Sequence, residues 1–154
     1  MCHHCDHPEA REDHERFLRA QIRANGWVVV GIDGDRLYPP WAYTVGLTEL
    51  ERPELVVTGM DAPLSIQLLN SVAAHFVHAA PSRPGEQVRL REGPLIEFVE
   101  LEQPSAHLFK AWELYQPDLR AMQIVHADER GRWPWNPAFR GGRGGQPVLG
   151  ARAG

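Results

Sequence analysis

Residues 26–60 read GWVVVGIDGDRLYPPWAYTVGLTELERPELVVTGM, and the fold turns on how this run is divided. Three pieces of it, "WVVVGI" (27–32), "WAYTVGL" (41–47) and "ELVVTGM" (54–60), are rich in β-branched and aromatic side chains. Such residues fit a pleated, half-buried surface, so each piece is expected to be a strand. "DGDR" (33–36) is a turn signal, and Pro39 and Pro40 lead into the second strand. A parallel crossover needs a dozen or more residues. These connections are shorter, which predicts an antiparallel meander.

Before the meander, Pro8 to Asn25 reads as a helix. Pro8 suits its first turn, Glu9, Glu12 and Asp13 its positive end, and Gly26 its exit. Ala10, His14, Phe17, Leu18 and Ile22 recur at helical spacing and form the expected buried stripe, with His14 half-buried on it. After the meander, Asp61 is expected to cap a helix over 62–80, with Pro63 in its first turn. Strands are expected at 88–92, 95–102 and 121–127, and a short helix capped by Ser105 at 106–115. The pattern is α+β: a single domain with a mainly antiparallel sheet of about five to six strands, packed by about three helices.

Three segments follow from this reading. Residues 1–7 are a Cys/His-rich start, 8–130 the α+β body, and 131–154 a Gly/Pro/Trp-rich tail packed on that body. Trp133, Trp135, Phe139, Val148 and Leu149 are its candidate anchors.

The charge balance narrows the function. The chain of 154 residues has a formal net charge of -4. A protein that tracks nucleic acid or an anionic membrane needs a basic surface, so neither partner is expected. No apolar run approaches the roughly 20 residues of a membrane span. The amino terminus lacks an apolar signal-peptide core, so a cytoplasmic location is the expectation. The partner is expected to be a small molecule or a protein.

The strongest chemical signal is the start, "MCHHCDHPEA" (1–10), which holds both cysteines of the chain. Cys2-x-x-Cys5 has the spacing of a zinc half-site, and His7 can supply a third donor. His75 is the best candidate for the fourth ligand. It shares a face with His78, three residues on in the second helix. Three protein ligands would leave a position for water, the arrangement of a hydrolytic zinc centre. Thiol redox exchange between Cys2 and Cys5 competes with this, because Cys5 precedes a helix N-terminus that favours thiolate. Removal of Met1 would add a third possibility, an amine acting as base for the Cys2 thiol.

Weaker signals lie elsewhere. In the second strand Trp41, Tyr43 and Val45 share one side and Ala42, Thr44 and Gly46 the other. Small residues beside Gly46 allow close approach of a ligand or another backbone. Thr44 and Thr48 with Glu49 are candidates to polarise a substrate. Asp128, Glu129 and Arg130 read as a solvated turn, and "RGGRGG" (140–145) as an exposed connector whose glycines offer an anion nest beside Arg140 and Arg143. Neither a G-x-S-x-G elbow nor a Walker loop occurs.

Taken in order, Cys2-x-x-Cys5-Asp6-His7-Pro8, "GWVVVGIDGD", "PPWAYTVGL", "PELVVTG", "LLNSVA", "DERGRWPW" and "GGQPVLG" resemble the bacterial domain-of-unknown-function family 4262. The resemblance implies a bacterial single-domain protein and supplies no reaction. It also implies a large apolar residue at the position of His126, which speaks against a family catalytic role there. "WAYTVGLTEL" (41–50) further resembles the sheet of suppressor-of-fused-like domains, which implies a non-enzymatic module acting through protein contacts.

Overall fold

The computed structural model describes residues 8–152 except residue 92, with side chains described from residue 12 onward. Its elements are α1 (Pro8–Asn25), β1 (Val28–Ile32), β2 (Trp41–Val45), β3 (Glu54–Thr58), α2 (Ala62–His78), β4 (Gln87–Arg89), β5 (Leu95–Glu100), α3 (Pro104–His107), α4 (Phe109–Tyr115) and β6 (Ala121–His126). Short 3-10 turns lie at Leu47–Leu50 and Phe139–Gly142.

All six strands form one sheet in the order β1-β2-β3-β6-β5-β4. The expected meander is present: Val30 pairs with Tyr43, and Ala42 with Val57, both antiparallel. β5 is antiparallel to both β4 and β6. One pair departs from this pattern. β3 and β6 run parallel at the centre of the sheet, with Leu55 opposite Met122. The α+β architecture with a mainly antiparallel sheet is therefore observed, and the central parallel pair is its added feature.

Helices cover both faces of the sheet. On one face α2 buries Leu69, Val72, Ala73 and Phe76 against Leu55, Val57, Phe98 and Ile124. The Phe76 and Phe98 rings lie 5.5 Å apart. On the other face Leu108 and Ala111 of the α3–α4 segment meet Tyr43, Val45 and Val56, together with Ile22 of α1. The alternation expected for β2 thus holds, with Tyr43 and Val45 toward α4 and Ala42 toward α2. Two polar links fix the α4 side. Trp41 Nε1 donates to the His107 carbonyl at 3.0 Å, and the Lys110 amide donates to the Tyr43 hydroxyl at 3.0 Å. Burial pushes the Tyr43 hydroxyl up to about 12, against the lowering effect of the Lys110 amide.

Several local expectations are corrected. Among the described side chains of the predicted α1 stripe, Leu18 and Ile22 are buried, whereas His14 is exposed and Phe17 is 57% exposed. Asp61 takes the N-cap position of α2 without a side-chain cap bond. Ser105 lies inside α3 rather than capping a helix, because Leu108 at φ -107 and ψ 65 splits the 106–115 segment in two. Gly46 (φ 127) allows a backbone to approach: a Cβ there would stand 2.7 Å from the Gly26 carbonyl oxygen. The close neighbour anticipated at this position is therefore the turn after α1.

The tail runs back across the sheet. Phe139 is buried, Trp133 and Trp135 stack at 5.3 Å, and the Arg152 guanidinium lies 3.7 Å from the Trp135 ring centroid. Arg152 also pairs with Glu97 of β5 at 3.1 Å. At the sheet centre Gln123 donates from Nε2 to the Pro147 carbonyl at 2.8 Å and accepts from the Leu149 amide at 2.8 Å.

Candidate functional site

The parallel pairing of β3 and β6 brings their carboxyl ends to the same edge of the sheet. From there β3 turns through Gly59 and Met60 into α2, while β6 ends at His126 and enters the Asp128 turn. The chain diverges from two adjacent strands, and a crevice opens between its two continuations. This is the geometry in which open sheets commonly hold ligands. The cleft measures about 1200 Å3.

Its rim is built by one carboxylate. Asp128 Oδ1 accepts the amides of Arg130 and Arg132, each at 2.9 Å, and Oδ2 accepts Arg132 Nε at 3.0 Å and the Arg140 amide at 2.8 Å. Burial alone would raise this carboxyl. The donors, led by the Arg140 and Arg132 amides, outweigh it and hold Asp128 well below the usual carboxylate range. The aspartate is ionised and binds the 128–132 turn to the 139–142 turn.

Arg140 then ties the tail to β3, donating from Nη2 to the Gly59 carbonyl at 2.8 Å. Gly59 sits at φ 67, and a Cβ on it would lie 2.1 Å from the Gly145 carbonyl oxygen. The tail can reach the end of β3 only because residue 59 has no side chain. "RGGRGG" is exposed over most of its length, as expected of a connector, but it is docked through Arg140 and lines the cleft with Arg140, Gly141 and Arg143. Glu129 and Arg130 are exposed, as expected of a solvated turn, whereas the Asp128 side chain is enclosed and organises the rim.

The lining mixes apolar and charged side chains. Met60, Leu64, Leu68, Leu90 and Pro94 give an apolar wall, in which Leu64 is 53% exposed. The same lining holds five arginines, at positions 91, 130, 132, 140 and 143, and the carboxylates of Asp61, Asp128 and Glu129. The cleft thereby concentrates positive charge on a chain whose formal net charge is -4. Arg132 is held by Asp128, and Arg140 by backbone carbonyls. Arg130 and Arg143 have no carboxylate partner among the described residues.

His126 lies at the floor and is 5% exposed. Its backbone is clamped by Gln146, whose Oε1 accepts the His126 amide at 2.9 Å and whose Nε2 donates to the His126 carbonyl at 2.8 Å. Its Nε2 stands 3.3 Å from the Thr58 carbonyl. Burial pushes the imidazole down to about 4, and nearby Arg140 acts in the same direction, against the raising effect of the Thr58 carbonyl.

A second polar cluster lies buried at the amino end of β3. Glu54, fully enclosed, accepts Thr44 Oγ1 at 2.8 Å, Thr48 Oγ1 at 2.5 Å, and the amides of Gly46, Leu47 and Thr48 at 3.2, 3.2 and 2.8 Å. Burial pushes its carboxyl above the ordinary value, and the Thr48 and Thr44 donors work against that. The two threonines expected to act with Glu49 serve Glu54 instead. Glu49 accepts from the Tyr115 hydroxyl. This cluster is structural, because its donors and acceptor satisfy one another away from solvent.

Of the proposed zinc ligands, Cys2, Cys5 and His7 lie outside the described residues. His75 is exposed near the end of α2, whose buried side packs on the sheet face opposite that of Ile22 in α1. Among the described residues no group of three or more His, Cys, Asp or Glu side chains is arranged to hold a metal. No described helix is long and apolar enough to cross a membrane. Arg140 and Arg143 were legible as part of an anion nest, but the convergence of all five arginines on one cleft was not, because they come from three separated segments. A signal was present in their density, since four of the five fall within residues 130–143.

Fold and site together define a class: a single-domain α+β protein with helices on both faces of a mixed six-stranded sheet and an arginine-rimmed cleft beyond its central parallel pair. Residues 21–140 match the domain of unknown function DUF4262, and the chain belongs to that family. The match leaves out the Cys/His segment at 1–7 and the "GGQPVLG" stretch at 144–150 that contributed to the likeness. No curated protein and no solved structure matches the chain.

Proposed function

We propose that the protein binds a small organic anion with an apolar body, in the cleft beyond the carboxyl ends of β3 and β6. The observation that carries this reading is the juxtaposition of the Leu64–Leu68 wall with five arginines on a net acidic chain. Guanidinium groups match the fork of a carboxylate or phosphate, and the apolar side chains of the same cleft offer surface to the rest of the molecule. Arg130 and Arg143, with no carboxylate partner among the described residues, supply the charge, while Asp128 and Arg140 hold the rim in shape. The cleft volume of about 1200 Å3 admits a metabolite-sized ligand.

The test is titration of benzoate and of benzyl alcohol, its uncharged analogue, followed by NMR chemical shifts. Benzoate is expected to bind with affinity that falls as salt rises, and benzyl alcohol to bind at least about tenfold more weakly. The double variant Arg130→Ala/Arg143→Ala should lose that distinction. Equal binding of the two probes, or an unaltered preference in the double variant, would remove this reading.

A zinc site at the amino-terminal end is the second reading, favoured by the Cys2-x-x-Cys5-x-His7 spacing directly ahead of α1. Cys2, Cys5 and His7 are the ligands it assigns, with His75 as a fourth or water in that position. Elemental analysis of untagged protein tests it. One zinc per chain, lost in both Cys2→Ser and Cys5→Ser, supports the site. Metal-free protein whose two thiols cycle with a disulfide supports redox chemistry instead.

A further inference from the structure

His126 combines three features: placement at the cleft floor, a backbone held by Gln146, and one ring nitrogen already engaged. The Thr58 carbonyl can only accept, so the Nε2 beside it carries the proton. The tautomer then leaves a lone pair on Nδ1. Nδ1 makes no hydrogen bond among the described residues, yet every fully buried side-chain nitrogen and oxygen among them has a partner. Nδ1 is therefore not fully enclosed, and the open space that His126 lines is the cleft.

We infer that His126 Nδ1 is a fixed hydrogen-bond acceptor for the occupant of the cleft, so that the ligand is an organic anion that also carries a hydroxyl or N–H donor. This rests on the anion-binding reading of the cleft and narrows the class of ligand that it admits. The surroundings agree with the assignment. Burial and the cation of Arg140 disfavour a second proton on the ring, so the lone pair persists at neutral pH. Arg140, the cation that acts on this ring, already donates to the Gly59 and Gly144 carbonyls. A ligand lacking the donor would leave Nδ1 desolvated and unpaired, which is how buried polar groups reject analogues.

The experiment compares benzoate with its 2-, 3- and 4-hydroxy isomers on the wild-type protein, His126→Gln and His126→Asn. Gln can keep a donor near Nε2 but places no acceptor at Nδ1; Asn restores an acceptor there. At least one isomer should bind about tenfold tighter than benzoate to the wild-type protein. That preference should fall within about twofold in His126→Gln and return in His126→Asn. In the wild-type protein the 15N resonance of Nδ1 should move with the preferred isomer and stay in place with benzoate, a readout that needs no variant. If benzoate binds but no isomer is preferred, or the preference survives in His126→Gln, the inference is overturned and the anion cleft stands. If benzoate does not bind at all, both fall.

Discussion

The Glu54 carboxylate accepts the Thr44 hydroxyl at 2.8 Å across two strands, and Thr44 Oγ1 in turn accepts the Leu55 amide at 2.8 Å. The pair locks β2 to the start of β3 and holds the 46–48 turn through three further amides. Glu54→Ala would strand those donors in a dry site. A loss of about 3 kcal/mol of stability is expected, with Glu54→Gln losing less than half of that. Denaturant midpoints of the two variants check it, and a near-neutral Glu54→Ala would refute the role.

The imidazole of His126 makes stability pH-dependent. Its folded value, about 4, lies below the ordinary 6.5, so between these limits the unfolded chain binds a proton that the native protein refuses. Stability is intact above 6.5 and drops as pH falls toward 4, by about 3 kcal/mol at most. Arg140, Asp61 and Asp128 line the same cleft and share its field. Glu54 acts oppositely: its raised carboxyl contributes stability present at low pH and lost as pH rises through its folded value. Subtracting the stability profile of His126→Gln isolates the histidine. A difference that stays flat between pH 4 and 6.5 would contradict this account.

Arg140 is the strap between tail and sheet. Arg140→Ala removes its bonds to the Gly59 and Gly144 carbonyls, at 2.8 and 3.4 Å. About 2 kcal/mol should be lost, since hydrogen bonds from a charged donor exceed neutral ones. Cleavage by trypsin after Arg143 should speed up about tenfold, as local opening becomes easier. Mass spectrometry of a digestion time course reads this directly.

Two glycines separate steric demand from backbone conformation. Gly131 (φ 75) has open space where a Cβ would go, whereas at Gly59 (φ 67) that atom would collide with the Gly145 carbonyl. Gly131→Ala should cost only the left-handed penalty of about 1 kcal/mol. Gly59→Ala should cost about 3 kcal/mol or more and loosen the tail. Equal melting temperatures for the two variants would refute the close packing of residues 59 and 145.

The core on the α2 face is anchored by Phe76, fully buried against Phe98. Phe76→Ala should lose about 3–5 kcal/mol, the usual result of truncating an enclosed aromatic ring. Thermal unfolding followed by circular dichroism measures it; a drop of only a few degrees in melting temperature would contradict the burial.

Much of the architecture could be read locally. Tyr43 and Val45 alternate with Ala42 and Thr44, and that period alone assigns β2 its two faces. The turn signal at 33–36 and the short 46–53 connection force β1, β2 and β3 into a meander. The α1 stripe was legible only in its second half, because Leu18 and Ile22 meet the body while His14 and Phe17 face solvent. Helical spacing shows which side chains share a face, but not how far along the helix a neighbour extends.

What the chain determined by itself was therefore element type, strand facing and hairpin order, since each depends on residues a few positions apart. The tertiary structure alone decided that β6 inserts beside β3 in parallel, and with it where the cleft lies. That pairing joins strands more than sixty positions apart, with Glu54 opposite Ala121. It is selected by the summed packing of α2 on one face and α4 on the other, for which no short pattern exists. The same holds for the arginines and His126. Each is ordinary in its own neighbourhood, and only the convergence of separated segments turns them into one electrostatic site.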